Sequence, residues 1–425
     1  MATEVDGMAS QKMGPPWPAA VRMAVLVIGV IAGAVGVYWA LHHAVTEYLL
    51  DVGVFRDAGV AFVRGEELYV DFNTRSGFRF IYPPFAALLF APLTWMGETT
   101  MEVVWTLLSI AALFGIIAMA VERLGLGSRP RPGAGDGASD ADHGNAPAQN
   151  NKGAWWAWTV GLTGLALMFE PVRAHLMYGQ INVFLILLVT ADVLGFVPRK
   201  LRGLGIGVAA GIKITPAAYA LIFLVRKDWA SLLRSFGFFL LTALIGLVVR
   251  AESSFYFWTT EFFNQERGGP PPYPPNQALT GLIARLGVSN DAALAIGKPI
   301  FVIIAILSVW GALRLERAGR RVESLLLVIV GVALAGPLAV THHWIGIVLV
   351  FPVVFATRST ALRVALLLVI VANYAGLHDM YPDQPHYDFE FWLWTLGNSQ
   401  GWTGLVLFIV LLIQAARTTV VRPTD

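Results

Sequence analysis

"MAVLVIGVIAGAVGVYWALHHAVTEYLLDVGVFRDAGVAFVRGEELY", residues 23–69, joins a long apolar run to a segment that opens on a carboxylate. Residues 23–45 are enough, as a helix, to cross a hydrocarbon core of about 30 Å. Lys12 and Arg22 precede the run, which is longer than a signal-peptide core and lacks a small-residue cleavage site. It therefore reads as a retained first span that starts on the cytoplasmic side. Asp51 falls where that span should be ending. One reading makes it the N-cap of a helix beginning at Val52, a position Asp favours. The other makes it an acid held at the membrane boundary, where burial raises a carboxyl pKa and a lipid head group is close at hand, as a general base requires.

Apolar blocks of this kind recur throughout the 425 residues, which are 56% hydrophobic and 14% charged, so the chain reads as an all-α polytopic membrane protein. The net charge of +2 says little about partners, because the placement of Lys and Arg carries the information. Nucleic acid is not expected among them. The absence of Cys excludes disulfides, thiol chemistry and cysteine metal sites. Basic clusters at 123–131, 199–202, 226–234, 314–321, 358 and 363, and 417 and 422 are expected on the cytoplasmic side. Spans are then expected at 23–45, 101–121, 155–169, 181–198, 231–249, 296–313, 324–338, 343–357, 361–377 and 401–416. Residues 203–225 lie between two clusters that both belong on one side, and "GIKITP" interrupts them with Gly211 and Pro216. They read as two short helices, going in and coming back, which brings the total to about 12 transmembrane or half-membrane helices.

The membrane body at 23–416 is expected between cytoplasmic tails at 1–22 and 417–425, with a low-complexity cytoplasmic loop at 127–153. The first external loop, 46–100, carries the acid and a short apolar segment opened by Pro83 and Pro84. That segment suits a re-entrant or interfacial helix, with Phe78, Phe80, Tyr82 and Trp95 as anchors. Aromatic, Pro-rich loops at 250–280 and 378–400 are expected to form a lid over the same face.

Several polar residues stand out against this apolar background. Lys213 sits inside the broken block, where an unpaired ammonium costs roughly 2.5–3.5 kcal/mol, so an anion should be near it unless it snorkels to the interface. His342 and His343 follow the Gly336–Pro337 break. Adjacent His residues point to different helix faces, which disfavours a metal and leaves phosphate contacts or simple packing. In "FEPVRAHLMYGQIN" Glu170 and Arg173 can pair at i,i+3, while Gln180 and Asn182 can bind sugar hydroxyls or cap the next helix. Walker A, GxGxxG and HExxH motifs are absent. The one DxD, at 140–142, lies in the cytoplasmic loop, which argues against a nucleotide-sugar mechanism.

"DVGVFRDAGVAFVRGEELY", "YPPFAALLFAPL", "EPVRAHLMYGQIN", "AAGIKITPA", "PPNQALTGLIARLG" and "PLAVTHHW" follow one another in order between about residues 50 and 360. Together they resemble the motifs of actinobacterial membrane glycosyltransferases of the GT-C type. Within that type the likeness is to the polyprenol-phosphate-mannose-dependent alpha-1,2-mannosyltransferases, above all those acting on phosphatidylinositol mannosides.

The resemblance implies a GT-C fold, a polyprenyl-phosphate-mannose donor, a glycolipid acceptor, surrounding membrane lipids, and neither nucleotide nor other cofactor. It also implies a catalytic carboxylate in the first external loop, which matches Asp51, with Asp57 as the second choice. Lys213, His342, His343 and Arg173 become candidates for the departing phosphate. Tyr82, Gln180, Asn182, Asn276, Gln277 and Trp344 become candidates for substrate contact. The alternatives are a branching mannosyltransferase of lipomannan, an arabinofuranosyltransferase of the same architecture, a lipid-linked sugar flippase, or a non-catalytic assembly subunit.

Overall fold

A computed structural model of the protein describes residues 17–70, 72–127, 151–263, 269–381 and 390–418. The expected tails, the 127–153 loop and the two lid loops therefore lie wholly or partly outside the described residues. The chain begins with helices α1 (Ala19–Thr46), α2 (Leu50–Arg64) and α3 (Pro84–Phe90), the last continuing as a 3-10 segment to Trp95. Next come α4 (Glu98–Arg123), α5 (Lys152–Leu167), α6 (Glu170–Tyr178), α7 (Asn182–Val193) and α8 (Leu204–Ile212). A 3-10 segment, Thr215–Ala220, leads to α9 (Leu221–Val225), α10 (Trp229–Val249), α11 (Ala251–Thr259), α12 (Leu279–Ala284), α13 (Asn290–Arg317) and α14 (Arg321–Ala335). The 3-10 segment Thr341–Leu349 runs into α15 (Val350–Ala356), followed by α16 (Thr360–Ala375), the 3-10 turn Leu377–Met380, α17 (Phe391–Gly397) and α18 (Ser399–Arg417). Among the described residues there is no β-strand, only an isolated bridge between Asn276 and Val340.

Five helices, α1, α4, α10, α13 and α18, are long and apolar enough to cross a membrane. Three of them, α1, α10 and α13, turn large apolar side chains outward, among them Ile28, Ile31, Leu244, Val248, Val302 and Ile306. Water would oppose such faces and lipid would not, so the arrangement fits a multi-pass membrane protein. Helix α14 has the opposite character: it is buried on nearly every side, from Val322 to Ala335, and packs against α13, α18 and the 341–349 segment. It is the centre of the bundle.

Small residues set the closest approaches. Helices α1 and α5 meet along a glycine seam where a Cβ on Gly164 would lie 1.8 Å from the Gly29 carbonyl oxygen. Helix α8 is wedged between α7 and α10 by the same means, since a Cβ on Gly205 would meet the Leu188 carbonyl at 2.4 Å and one on Gly211 the Thr242 hydroxyl at 2.0 Å. The break in residues 203–225 is present and falls at Lys213, which is extended (φ −145°, ψ 129°) between α8 and the Pro216-containing 3-10 segment.

One expectation about the 46–100 loop is corrected. Phe78 and Trp95 are exposed, but Phe80 and Tyr82 are buried. The Tyr69 hydroxyl donates to the Tyr82 carbonyl, and both rings pack inward on Tyr69 and Phe55. In an irregular segment successive side chains need not share a face, so spacing alone does not decide which aromatics face outward.

Candidate active site

A cavity of about 750 Å³ opens among α1, α2, α6, the Lys213 break, the 338–343 segment and the 377–380 turn. Its wall includes Asp51, Tyr82, Glu170, Arg173, Tyr178, Gln180, Lys213, His342, His343, His378 and Asp379. The rest of the lining is largely apolar, including Val35, Trp39, Leu50, Val54, Met168 and Met177.

Asp51 reaches this wall because of how α2 begins. Leu49, not Asp51, is the N-cap residue, and its backbone N–H donates to Glu102 Oε1 of α4 at 2.9 Å. That orphan donor is satisfied from another helix, so the Asp51 carboxylate is left to face the cavity. The cap reading of Asp51 is therefore set aside. Six residues further along α2, Asp57 lies about 240° round the helix. It accepts from the Arg75 backbone N–H and from Arg75 Nε, both at 2.9 Å, while Arg75 Nη1 donates to Glu98 at 2.6 Å. Asp57 fastens the loop after α2 and does not line the cavity.

A chain of hydrogen bonds runs from Asp51 to His343. Gln180 Nε2 donates to Asp51 Oδ2 at 2.6 Å, Asn182 Nδ2 to Gln180 Oε1 at 3.1 Å, and Lys213 Nζ to Asn182 Oδ1 at 3.0 Å. Lys213 Nζ also lies 3.3 Å from His343 Nε2 and 5.7 Å from the centre of the Tyr82 ring. Two of the three ammonium protons thus have protein partners, which leaves one for a ligand. Burial in the wall pushes the Asp51 carboxyl up to about 6, although the Gln180 hydrogen bond and the Lys213 charge both favour the ionised form.

Local backbone features bring these residues together. Helix α6 ends at Gly179 in the left-handed conformation (φ +66°), with the Gln180 N–H bonded to the His175 carbonyl. A Cβ on Gly179 would lie 2.8 Å from Val52 Cγ1, so glycine lets this turn press against the start of α2 and deliver Gln180 to Asp51. The Gly336–Pro337 break after α14 ends in the 3-10 segment that carries both histidines. Their rings are perpendicular, 4.9 Å apart, and His342 also packs edge-on against Tyr178. Among the described residues no group of three or more His, Asp or Glu is placed to hold a metal ion.

Three candidates lie away from the cavity lining. Asn276 is fully buried: its Nδ2 donates to the Pro271 carbonyl, and its Oδ1 accepts from the Ala278 and Ala339 N–H groups. Gln277, equally buried, donates to the Pro274 and Gly397 carbonyls and accepts from the Gly401 N–H. Trp344 donates to the Ala339 carbonyl and is also fully buried. Every polar group named here is used in stitching three loops together, which places Tyr273 and Pro275 on the cavity wall. Missing from the expected set were Glu102, which anchors α2, and the pair His378–Asp379, which lay unremarked within a segment read as lid. A second carboxylate, Glu102, one turn after Glu98 at the start of a long apolar helix, was the available signal for the first.

Residues 80–341 match the family model described as glycosyltransferase family 87. The chain is 31% identical, over 91% of its length and 89% of the relative, to a Mycolicibacterium smegmatis protein named polyprenol-phosphate-mannose-dependent alpha-(1-2)-phosphatidylinositol mannoside mannosyltransferase. A Mycobacterium tuberculosis protein of the same name is 28% identical over 93% of this chain and 91% of its own. A second M. smegmatis protein, named for phosphatidylinositol pentamannoside, is 32% identical over 66% of this chain and 62% of its own. No solved structure matches. With a family match over most of the chain and a curated relative aligned nearly end to end, this protein is a glycosyltransferase belonging to glycosyltransferase family 87.

Proposed function

We propose that this enzyme moves mannose from polyprenyl-phosphate-mannose to a phosphatidylinositol mannoside through an alpha-1,2 linkage, with inversion at C1. The names of the relatives support the donor and acceptor classes. The observation that carries the chemistry is the juxtaposition, on one cavity wall, of the Asp51 carboxylate and the Lys213 ammonium, separated by two amides.

In this reading the acceptor hydroxyl oxygen attacks C1 from the face opposite the phosphate. Its proton passes to Asp51, the C1–O bond to phosphate breaks, and the electron pair leaves on the phosphate oxygen. Lys213, aided by His343 and His342, meets the charge that develops there. The apolar lining suits the first part of a prenyl chain, and a phosphate at head-group level suits entry from the bilayer.

The architecture assigned to this function is the GT-C arrangement of about 12 transmembrane or half-membrane helices. Its catalytic body is 23–416 and the acid lies in the first external loop, 46–100. The site faces the outside of the plasma membrane, the α3 segment acts as a re-entrant or interfacial helix, and the described parts of 250–280 and 378–400 act as the lid.

The test is transfer of labelled mannose by the purified enzyme from polyprenyl phosphate to a glycolipid, alongside the lipid profile of a deletion strain complemented with wild type or Asp51→Asn. New alpha-1,2-linked product that disappears with Asp51→Asn is the expected result. Movement of donor across the bilayer without a new glycosidic bond would replace this reading with a flippase.

A further inference from the structure

Four side chains of the cavity stand apart from the Asp51–Lys213 chain and form a cluster of their own. Glu170 and Arg173 come from the first turn of α6, His378 and Asp379 from the turn between α16 and α17. His378 Nε2 lies 3.6 Å from Glu170 Oε1 and 3.1 Å from Asp379 Oδ1. Three of the four converge beside Gly376 (φ +59°). A Cβ there would sit 3.6 Å from Arg173 Nη2, 3.7 Å from Glu170 Cγ and 4.0 Å from Asp379 Oδ2.

Their hydrogen-bonding capacity is not consumed within the protein. Glu170 is only 6% exposed and the Thr341 hydroxyl reaches its carboxylate, yet no close hydrogen-bond partner meets its Oε2, and the buried Nε of Arg173 has none either. Leaving a buried polar atom unsatisfied costs about 1–3 kcal/mol, and both side chains line the open cavity, so a ligand that draws them toward it would relieve that cost.

The charge of the cluster selects the ligand. Two carboxylates repel a phosphate, which finds its cation at Lys213 instead. Carboxylates that accept, beside a guanidinium that donates, match vicinal hydroxyls, each of which can do both.

We propose that Glu170, Arg173, His378 and Asp379 form a polyol subsite that seats the sugar headgroup of the acceptor, separate from the Lys213–His343 wall. The proposal rests on the mannosyl-transfer reading and moves Arg173 from the leaving phosphate to the acceptor. The same hydroxyl chemistry exists on the donor mannose, so the test must tell the two apart.

The full-length enzyme in detergent is assayed as wild type, Glu170→Gln, which keeps the side-chain volume, and Asp379→Asn, whose side chain is exposed. Transfer kinetics are measured against donor and acceptor separately, together with release of mannose from the donor to water. Binding of methyl α-mannoside is followed by saturation-transfer NMR. The expected result is an acceptor KM raised about tenfold in each variant, donor KM and water-dependent release unchanged, and a weakened mannoside signal. An unchanged acceptor KM in both variants, or a raised donor KM instead, overturns the subsite. If the wild-type enzyme transfers no mannose, the transfer reading falls on that result, and the mannoside signal alone decides the subsite: persistence in both variants refutes it, loss upholds it.

Discussion

Gln180 Nε2 stands 2.6 Å from Asp51 Oδ2 and donates to it. One carboxylate oxygen is therefore occupied before any substrate arrives, and in the proposed mechanism the other takes the proton. The order of the remaining bonds follows from the charges at the two ends. Lys213 can only donate and an ionised Asp51 can only accept, so Asn182 and Gln180 must both pass donors in the same direction. Flipping either amide would break two bonds at once.

Asp51→Asn removes the proposed proton acceptor with little change in volume. Transfer is expected to fall by about 10²–10⁴-fold with the protein still folded, as measured by initial rates beside thermal unfolding in detergent. Asp57→Asn, whose carboxylate binds Arg75 outside the cavity, should stay within a few-fold of wild type and lose at most about 1 kcal/mol of stability.

Activity should depend on pH through the same carboxyl. A general base works only when ionised, and the proposed base Asp51 is pushed up to about 6 by burial, so kcat/KM should rise with pH through that value and level off above it. Gln180→Leu removes a hydrogen bond that favours the ionised form, and the acidic limb should move to higher pH. An unmoved limb in that variant would mean that a different group titrates.

Lys213→Met keeps the length of the side chain and deletes its charge. The donor KM should rise and kcat/KM should fall by about 100-fold or more, if the proposed contact between Lys213 and the leaving phosphate is made. Binding of the acceptor headgroup should be unaffected, which a mannoside titration of the same variant reads directly.

Glu102→Ala should damage the site from a distance. The Leu49 N–H loses its acceptor, at a cost of about 1–3 kcal/mol, and the first turn of α2, which carries Asp51, loses its tether to α4. Glu102→Gln retains an acceptor oxygen and should restore most of both stability and rate. Equal damage by the two substitutions would point to the charge rather than the hydrogen bond.

Gly179→Ala should be more harmful than its size suggests. A left-handed φ of +66° costs a residue with a Cβ about 1–2 kcal/mol, and that Cβ would collide with Val52. The melting temperature and the transfer rate should both drop, and adding Val52→Ala should recover part of the loss by opening space where the new methyl points.

Much of the architecture follows from properties that short stretches of chain possess by themselves. Blocks of apolar residues long enough to cross a bilayer mark α1, α4, α10, α13 and α18, and "GIKITP" breaks its helix because Pro216 has no N–H for the Ile212 carbonyl four residues back and its ring clashes there. A carboxylate directly after the first such block was likewise visible from order along the chain alone.

Membership of one cavity is a different kind of fact. Asp51, Gln180, Lys213 and His343 meet only because Glu102 holds the start of α2, Gly179 lets a turn press against Val52, and the glycine face of α8 fits between α7 and α10. Asn276 and Gln277 carry the same amide chemistry as Asn182 and Gln180, yet folding uses them to bind loops together. A buried amide must find partners whether these are a substrate or a backbone. The amino-acid order therefore names the residues able to bind, and the packing of distant segments decides which of them still face a ligand.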